Sequence, residues 1–278
     1  MEQKLNFESP SLIKRLKGML SVDFYRLFHT PLFYIFLAIS AIIPAMILGT
    51  TSIENLETGD TLKMYENAWQ MIASDKPLFS EINIADYANM NMVFIFGGIM
   101  VSIFIGRDYK SGYVKQLFTT HAKKQDYMIS KSVVCAFAMM SMCIAYLLGT
   151  VASGLLVKAD FSVDVLSLVI SIISKMMLSF GWASLFTFIN VISRRYFGIS
   201  IISSFFFGTG ILVLGIGALI SNINIPGEVL TLFLYGSSSY ACLSSTILTL
   251  LICALCSFGW FMIYNVLGTV VLSKSDVY

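Results

Sequence analysis

Ser132-Val-Val-Cys-Ala-Phe-Ala-Met-Met-Ser-Met-Cys-Ile-Ala-Tyr-Leu-Leu-Gly-Thr-Val-Ala-Ser-Gly-Leu-Leu-Val157 contains no Asp, Glu, Lys or Arg. Lys131 and Lys158 bound it. A helix needs about 20 mostly apolar residues to cross the hydrocarbon core of a bilayer, and this run exceeds that. It is one of several. Residues 27–53, 87–106, 165–174, 176–193, 196–227 and 229–273 are also free of charge. Together these gaps resolve into six spans, at 31–50, 87–106, 133–156, 172–193, 197–219 and 246–270. The first begins too late, and has too many successors, to be a cleaved signal peptide.

Composition points the same way. Apolar residues make up 57% of the 278-residue chain and charged residues 12%, too few charges to cover a soluble protein of this size. Nucleic-acid binders and ordinary soluble enzymes are therefore excluded as expectations, and the net charge of +2 implies no polyanionic partner. The five cysteines are an odd number. Cys135, Cys143, Cys253 and Cys256 lie inside apolar runs, which does not fit a secreted disulfide framework. The expected fold is all-α, because a spanning segment must satisfy its backbone polar groups internally.

Orientation follows from Lys and Arg. With six spans and both termini in the cytoplasm, only Lys63, Lys76, Lys158 and Lys175 lie outside, and the other 14 of the 18 basic residues lie inside. Ten of the 16 acidic residues lie outside: Glu54, Glu57, Asp60, Glu66, Asp75, Glu81, Asp86, Asp160, Asp164 and Glu228. The chain divides into a cytoplasmic N-terminal segment (1–30), a membrane domain (31–273) with an outer loop at 51–86 and a cytoplasmic loop at 107–131, and a cytoplasmic tail (274–278).

Between spans five and six, Pro226–Tyr235 reads as a short outer helix with Pro near its start, Glu228 in its first turn and Gly236 just past its end. Residues 11–28 read as a basic amphipathic helix at the cytoplasmic interface. Leu12, Leu16, Met19, Leu20, Phe24 and Leu27 share one face, and Lys14, Lys17, Gly18 and Ser21 the other. Simple anchoring of span one needs the same pattern. The 51–86 loop, with seven acidic residues and two lysines, reads either as an outer cap or as a solvated connection. In the cytoplasmic loop, Tyr113, Val114, Leu117 and Phe118 recur at helical spacing. That stripe needs a cover, either lipid headgroups or a protein groove.

Sites for chemistry are missing from the pattern. There is no G-x-x-x-x-G-K-[ST]. His29 and His121 both fall near the cytoplasmic face, so no intramembrane base or metal set is expected. Cys253-Ala-Leu-Cys256 reads as helix filling. No carboxylate lies deep in a span, which argues against an ion-coupled carrier. Lys175 reads as snorkelling to the outer interface.

The loop Arg107-Asp-Tyr-Lys-Ser-Gly-Tyr-Val-Lys-Gln-Leu117, closed by Lys131, resembles that of ABC-2 type exporter permeases, and Asp23-Phe-Tyr-Arg26-Leu-Phe28 is similar to the family's segment before span one. The likeness extends over the whole chain in topology, particularly to the small bacterial permeases that handle peptides, antibiotics or lantibiotics. The family usually has Glu where Asp108 stands and Ser-Arg where Lys123-Lys124 stand.

The resemblance implies a non-enzymatic half-transporter in the bacterial cytoplasmic membrane. A second permease chain, as a homodimer, and two copies of a cytoplasmic ABC ATPase would be its partners. This chain would hold no cofactor, with ATP and Mg on the ATPase. Arg107, Asp108, Tyr109, Lys110, Tyr113, Leu117 and Phe118 would couple to that ATPase. Met92, Phe96, Met100, Phe205 and Phe206 are candidates for the path of an amphipathic or lipid-like substrate, most simply a membrane-active peptide, because Met and aromatic surfaces repack around varied apolar partners. The alternative is a non-transporting sensor or immunity protein that binds a peptide through its outer loop.

Six spans with both termini inside make a direct prediction. A single cysteine at position 60 should react with an impermeant thiol reagent from outside, and single cysteines at 115 and 276 only from inside. Outside labelling at 276 would refute the span count.

Overall fold

The computed structural model describes residues 11–50, 67–73, 89–119, 122–194, 196–209, 231–242 and 245–274. Nine α-helices fall within them: α1 Leu12–Phe28, α2 Pro31–Thr50, α3 Met92–Lys110, α4 Tyr113–Thr119, α5 Lys124–Val157, α6 Val165–Ser193, α7 Phe197–Gly208, α8 Leu234–Tyr240 and α9 Ile247–Lys274. A single 3₁₀ turn, Ala68–Met71, lies between α2 and α3. No β-strand occurs among the described residues.

Five of these helices, α2, α3, α5, α6 and α9, are long and apolar enough to cross a membrane. The spans expected at 31–50 and 133–156 fall within α2 and α5, and the one expected at 246–270 is covered by α9 from Ile247 on. The one expected at 87–106 runs instead from Met92 to Lys110, carrying Arg107 and Lys110 in its last turn, where cations complement the carbonyl end of the helix dipole. The one expected at 172–193 starts at Val165. Asp164 caps it by accepting from Ser167 N at 3.2 Å, a side-chain cap that displaces the start toward the charged loop. The fifth expected span, 197–219, is described only over the 12 residues of α7. Its remainder, Glu228, His121 and most of the 51–86 loop lie outside the described residues.

Of the short helix expected at Pro226–Tyr235, residues 226–230 lie outside the described residues; the helix found here, α8, runs Leu234–Tyr240, so Gly236, expected just past a helix end, and the serines after it are helical. Tertiary structure overrides their poor propensity. Ser238 Oγ donates to Leu234 O at 2.7 Å and accepts from Trp182 Nε1 at 3.0 Å. Trp182 in turn stacks between Phe94 of α3 and Phe186, each at 5.5 Å between ring centroids.

The scaffold is α5. Its 34 residues make a rod about 51 Å long at ~1.5 Å per residue, longer than the ~30 Å hydrocarbon core. α1, α2, α3, α6 and α9 all pack on it, while α6 packs most extensively on α9 and α7 lies on α3. Gly149 lets α2 and α5 touch backbone to backbone, since a Cβ there would lie 2.1 Å from Ala41 O. Gly112, at φ 76°, turns the chain between α3 and α4, a conformation that costs other residues a Cβ clash.

The two crowding environments give a test. Gly149→Ala forces the α2 backbone away and should destabilise the protein by about 1–3 kcal/mol, read as a lower melting temperature in detergent. Gly18→Ala, with nothing within 4 Å of a Cβ, should leave the melting temperature unchanged or raise it slightly, because Ala is the better helix former.

Candidate functional site

At the end of the bundle where α3 finishes and α5 begins, four charged side chains from three helices meet. Asp23 of α1, Asp108 of α3 and Lys131 of α5 are all fully buried. Lys131 Nζ lies 2.6 Å from Asp23 Oδ1 and 2.7 Å from Asp108 Oδ2. Asp23 Oδ2 accepts from Ser130 Oγ at 2.6 Å. Arg26 Nη2 donates to Asp108 Oδ1. The cluster holds two carboxylates and two cations, so its formal charge closes to zero.

Aromatic rings complete the enclosure. Lys131 Nζ is 4.8 Å from the ring centroid of Phe104 and 5.6 Å from those of Tyr113 and Tyr127. The Arg26 guanidinium lies over Tyr113 at 4.1 Å, within cation–π range. Burial opposes the Arg26 charge, but the charge and hydrogen bond of Asp108, with Tyr113 and Asp23 adding to them, outweigh it and hold Arg26 above its usual pKa. A further pair, Arg15 Nε to Asp126 Oδ2 at 2.8 Å, ties the start of α1 to the start of α5.

This arrangement revises the reading of α1. Lys14, Lys17, Gly18 and Ser21 are exposed as expected, and Leu27 is buried with Leu16, Met19, Leu20 and Phe24 half-buried. That face does not meet solvent or headgroups alone, because it packs on α5 and carries Asp23 in its middle. The role of Asp23 had a legible signal. It stands three residues after Leu20 and four before Leu27, so a helix puts a carboxylate on its own apolar stripe. Such a group is retained only if something across the interface pairs with it.

The residues expected at the α3–α4 corner separate into three groups. Asp108 is buried in the ion cluster, and Tyr113 forms its lid over Arg26. Tyr109, Leu117 and Phe118 are half-buried against Val114, Tyr127, Met128, Val191 and Leu272, with Phe118 edge-on to Tyr127 at 5.7 Å. The apolar stripe of α4 is thus covered by α5, α6 and α9 of the same chain. α9 is held there by Lys124 Nζ, which donates to Leu272 O at 2.5 Å. Arg107 and Lys110 remain exposed, as do Lys115 and Lys123.

The five residues read as a substrate path do not share one environment. Met100 is buried in the core, Met92 and Phe96 are half-buried, and Phe205 and Phe206 are exposed on α7. A separate polar knot joins α3, α6 and α7. Ser200 Oγ donates to Asn190 Oδ1 at 2.5 Å, Asn190 Nδ2 donates to Ser102 Oγ at 3.2 Å, and Ser102 and Ser204 hydroxyls lie 3.0 Å apart.

Lys175 is corrected from interfacial to buried. It is 1% exposed and donates to Ile72 O at 2.6 Å, because segment 67–73 covers it. Cys253 and Cys256 are free thiols set near the Ser237 and Leu232 carbonyls, consistent with helix filling. In the loop before α6, hydrogen bonds from Ser162 hold the Asp160 carboxyl below its usual pKa, and those from Ser167 do the same for Asp164. Among the described residues no group of His, Cys, Asp or Glu is placed to hold a metal ion.

The ion cluster is built to join helices, and its removal has a calculable direction. Lys131→Met leaves two buried carboxylates facing each other with one cation between them. It should destabilise the protein by about 3–5 kcal/mol, measured as thermal or denaturant unfolding in detergent. Lys123→Met, on the exposed rim, should change stability by less than about 1 kcal/mol. Comparison with known proteins returned no matching family model and no matching curated protein.

Proposed function

We propose that this chain is the membrane-spanning subunit of an ABC-2 type exporter, driven by a separate cytoplasmic ATPase and moving an amphipathic substrate, most simply a membrane-active peptide, out of the cell or its membrane. In this reading the chain crosses a bacterial cytoplasmic membrane six times with both termini inside. α7 and the residues after it form the fifth span, α1 lies along the inner interface, and α8 lies toward the outer side. Two copies of the chain pair, and two ATPase subunits bind ATP and Mg beneath them.

One observation carries the reading. The basic side chains Lys14, Lys17, Arg107, Lys110, Lys115 and Lys123 are exposed at the end of the bundle that holds the ion cluster, while the exposed acids Asp160 and Asp164 follow the opposite end of α5. That polarity supports an inward-facing basic end. There the α3–α4 corner is braced from behind by Asp108, Tyr113 and Phe118. A braced corner with an exposed cationic rim is suited to receive force from a partner. A chain that offers no nucleotide-binding motif does uphill work only if a partner's differential binding drives it.

The division of labour at the corner sets the experiment. The permease is purified in mild detergent with its ATPase, and co-purification and substrate-stimulated ATP hydrolysis are measured. Arg107→Gln with Lys110→Gln should reduce co-purification while lowering the melting temperature only slightly, since rim charges govern encounter more than fold and the lost helix-dipole complement is worth under about 1 kcal/mol each. Phe118→Ala should lower the melting temperature and uncouple hydrolysis from transport, with a loss of about 3 kcal/mol typical for a packed Phe. In cells, the pair should protect against an amphipathic peptide, and inactivating the ATPase should abolish that protection. Peptide binding that persists with no ATPase in the complex would replace export with the binding-only reading.

A further inference from the structure

Segment 67–73 sits on the end of the bundle opposite the ion cluster. Three hydrogen bonds seat it on the loop between α5 and α6. Ala68 N donates to Asp160 O at 2.8 Å, Trp69 Nε1 donates to Phe161 O at 2.9 Å, and the Asn67 amide donates to Ser162 O. The Trp69 and Phe161 rings meet edge-on at 5.3 Å. Gly154 makes room beneath, because a Cβ there would lie 2.5 Å from the Phe161 ring and 3.0 Å from Ala68 Cβ.

The fourth bond is of another kind. Lys175, in the third turn of α6, reaches up and donates from Nζ to Ile72 O at 2.6 Å. Lys175 is 1% exposed, and Ala68, Met71, Ile72 and Ala73 are 0% exposed. The ion pairs formed among the described residues do not include Lys175. A Met in its place would fill similar volume without needing an acceptor. What the lysine adds is a single strong bond to the segment above it.

We propose that segment 67–73 is a lid over this end of the bundle and that Lys175 is its latch. The acceptor is a main-chain carbonyl, so no side-chain change in the lid itself removes the bond. The other three hydrogen bonds hold the lid to the loop at 158–164, while Ala68 rests on α5 and Met71, Ile72 and Ala73 pack into the apolar core, so loss of the latch removes a hydrogen bond that ties the lid to α6 and leaves it held there by apolar packing. Buried thiols beneath report on the lid's opening. Cys143 of α5 and Cys253 of α9 belong to the same buried apolar cluster as Met71, Ile72 and Ala73 of the lid and are 1% and 0% exposed. The lid holds whichever way the bundle is oriented, and it does not depend on the export reading.

The test uses the full chain purified in detergent, where a maleimide reaches both ends. One form keeps only Cys143, and a control form keeps only Cys135, which is equally buried on the same helix near the ion cluster. Lys175→Met should speed labelling of Cys143 by about tenfold, as expected when loss of a charged hydrogen bond raises an open population. Trp69→Phe keeps the ring contact, loses only the indole donor, and should give a smaller acceleration, about two- to fivefold. Cys135 should label at its original slow rate in both variants. The proposal is overturned if Lys175→Met leaves Cys143 as protected as before. It is equally overturned if Cys135 and Cys143 accelerate together, because the whole bundle has then loosened and no lid has opened.

Discussion

The Lys131 ammonium, enclosed between the carboxylates of Asp23 and Asp108, constrains the meeting of α1, α3 and α5. Taking charges out of water costs several kcal/mol per ion, and mutual attraction offsets this only with good geometry and further hydrogen bonds. Here Ser130 satisfies the second oxygen of Asp23, Arg26 that of Asp108, and three rings enclose the amine. Each charge is tolerable only while the others are in place. The cluster therefore specifies register: a slip of α1 along α5 by one turn would strand Asp23 without a cation.

Elsewhere the helices are joined by smaller means. Apolar surfaces gain little from leaving lipid, so association in a bilayer depends on close packing and interhelical hydrogen bonds. Gly149 brings α5 against the α2 backbone. Gly181 does the same for α6 and α9, where Ser257 Oγ accepts from Gly181 N at 3.0 Å and donates to Met177 O at 2.6 Å. The Asn190–Ser102–Ser200–Ser204 knot joins three helices. Many other buried hydroxyls bond the carbonyl four residues back, as Ser153 does to Gly149 and Thr187 to Ala183, which lets polar residues sit in spans without an orphaned group.

These two kinds of joint divide the molecule along α5. One end is fastened by charge and carries an exposed cationic rim; the other is covered by a segment fastened mainly through main-chain carbonyls. Because α5 runs unbroken between them, a displacement of the α3–α4 corner has a rigid route to the covered end. On the export reading, that is the direction in which force from an ATPase would travel.

The helical class and most of the span positions were legible in the sequence, because the energetic demand of a bilayer is local: a run of uncharged residues long enough to cross it. α2, α5 and α9 needed nothing more. Boundaries depended on neighbours, as where Asp164 caps α6 from outside the uncharged run, or where burial against Trp182 makes a helix of Gly236-Ser-Ser-Ser-Tyr240. The candidate site was legible only in outline. The Arg107–Leu117 motif and the Asp23–Arg26 segment stood out as separate stretches of chain. Their meeting at Lys131, the self-covering of the α4 stripe and the burial of Lys175 under Ile72 are pairings between different helices or segments, about a hundred residues apart for Asp23 with Lys131 and for Ile72 with Lys175. Periodicity reports which face of one helix is apolar. Which helix lies against that face, and so which charge finds its partner, was decided only by the tertiary structure.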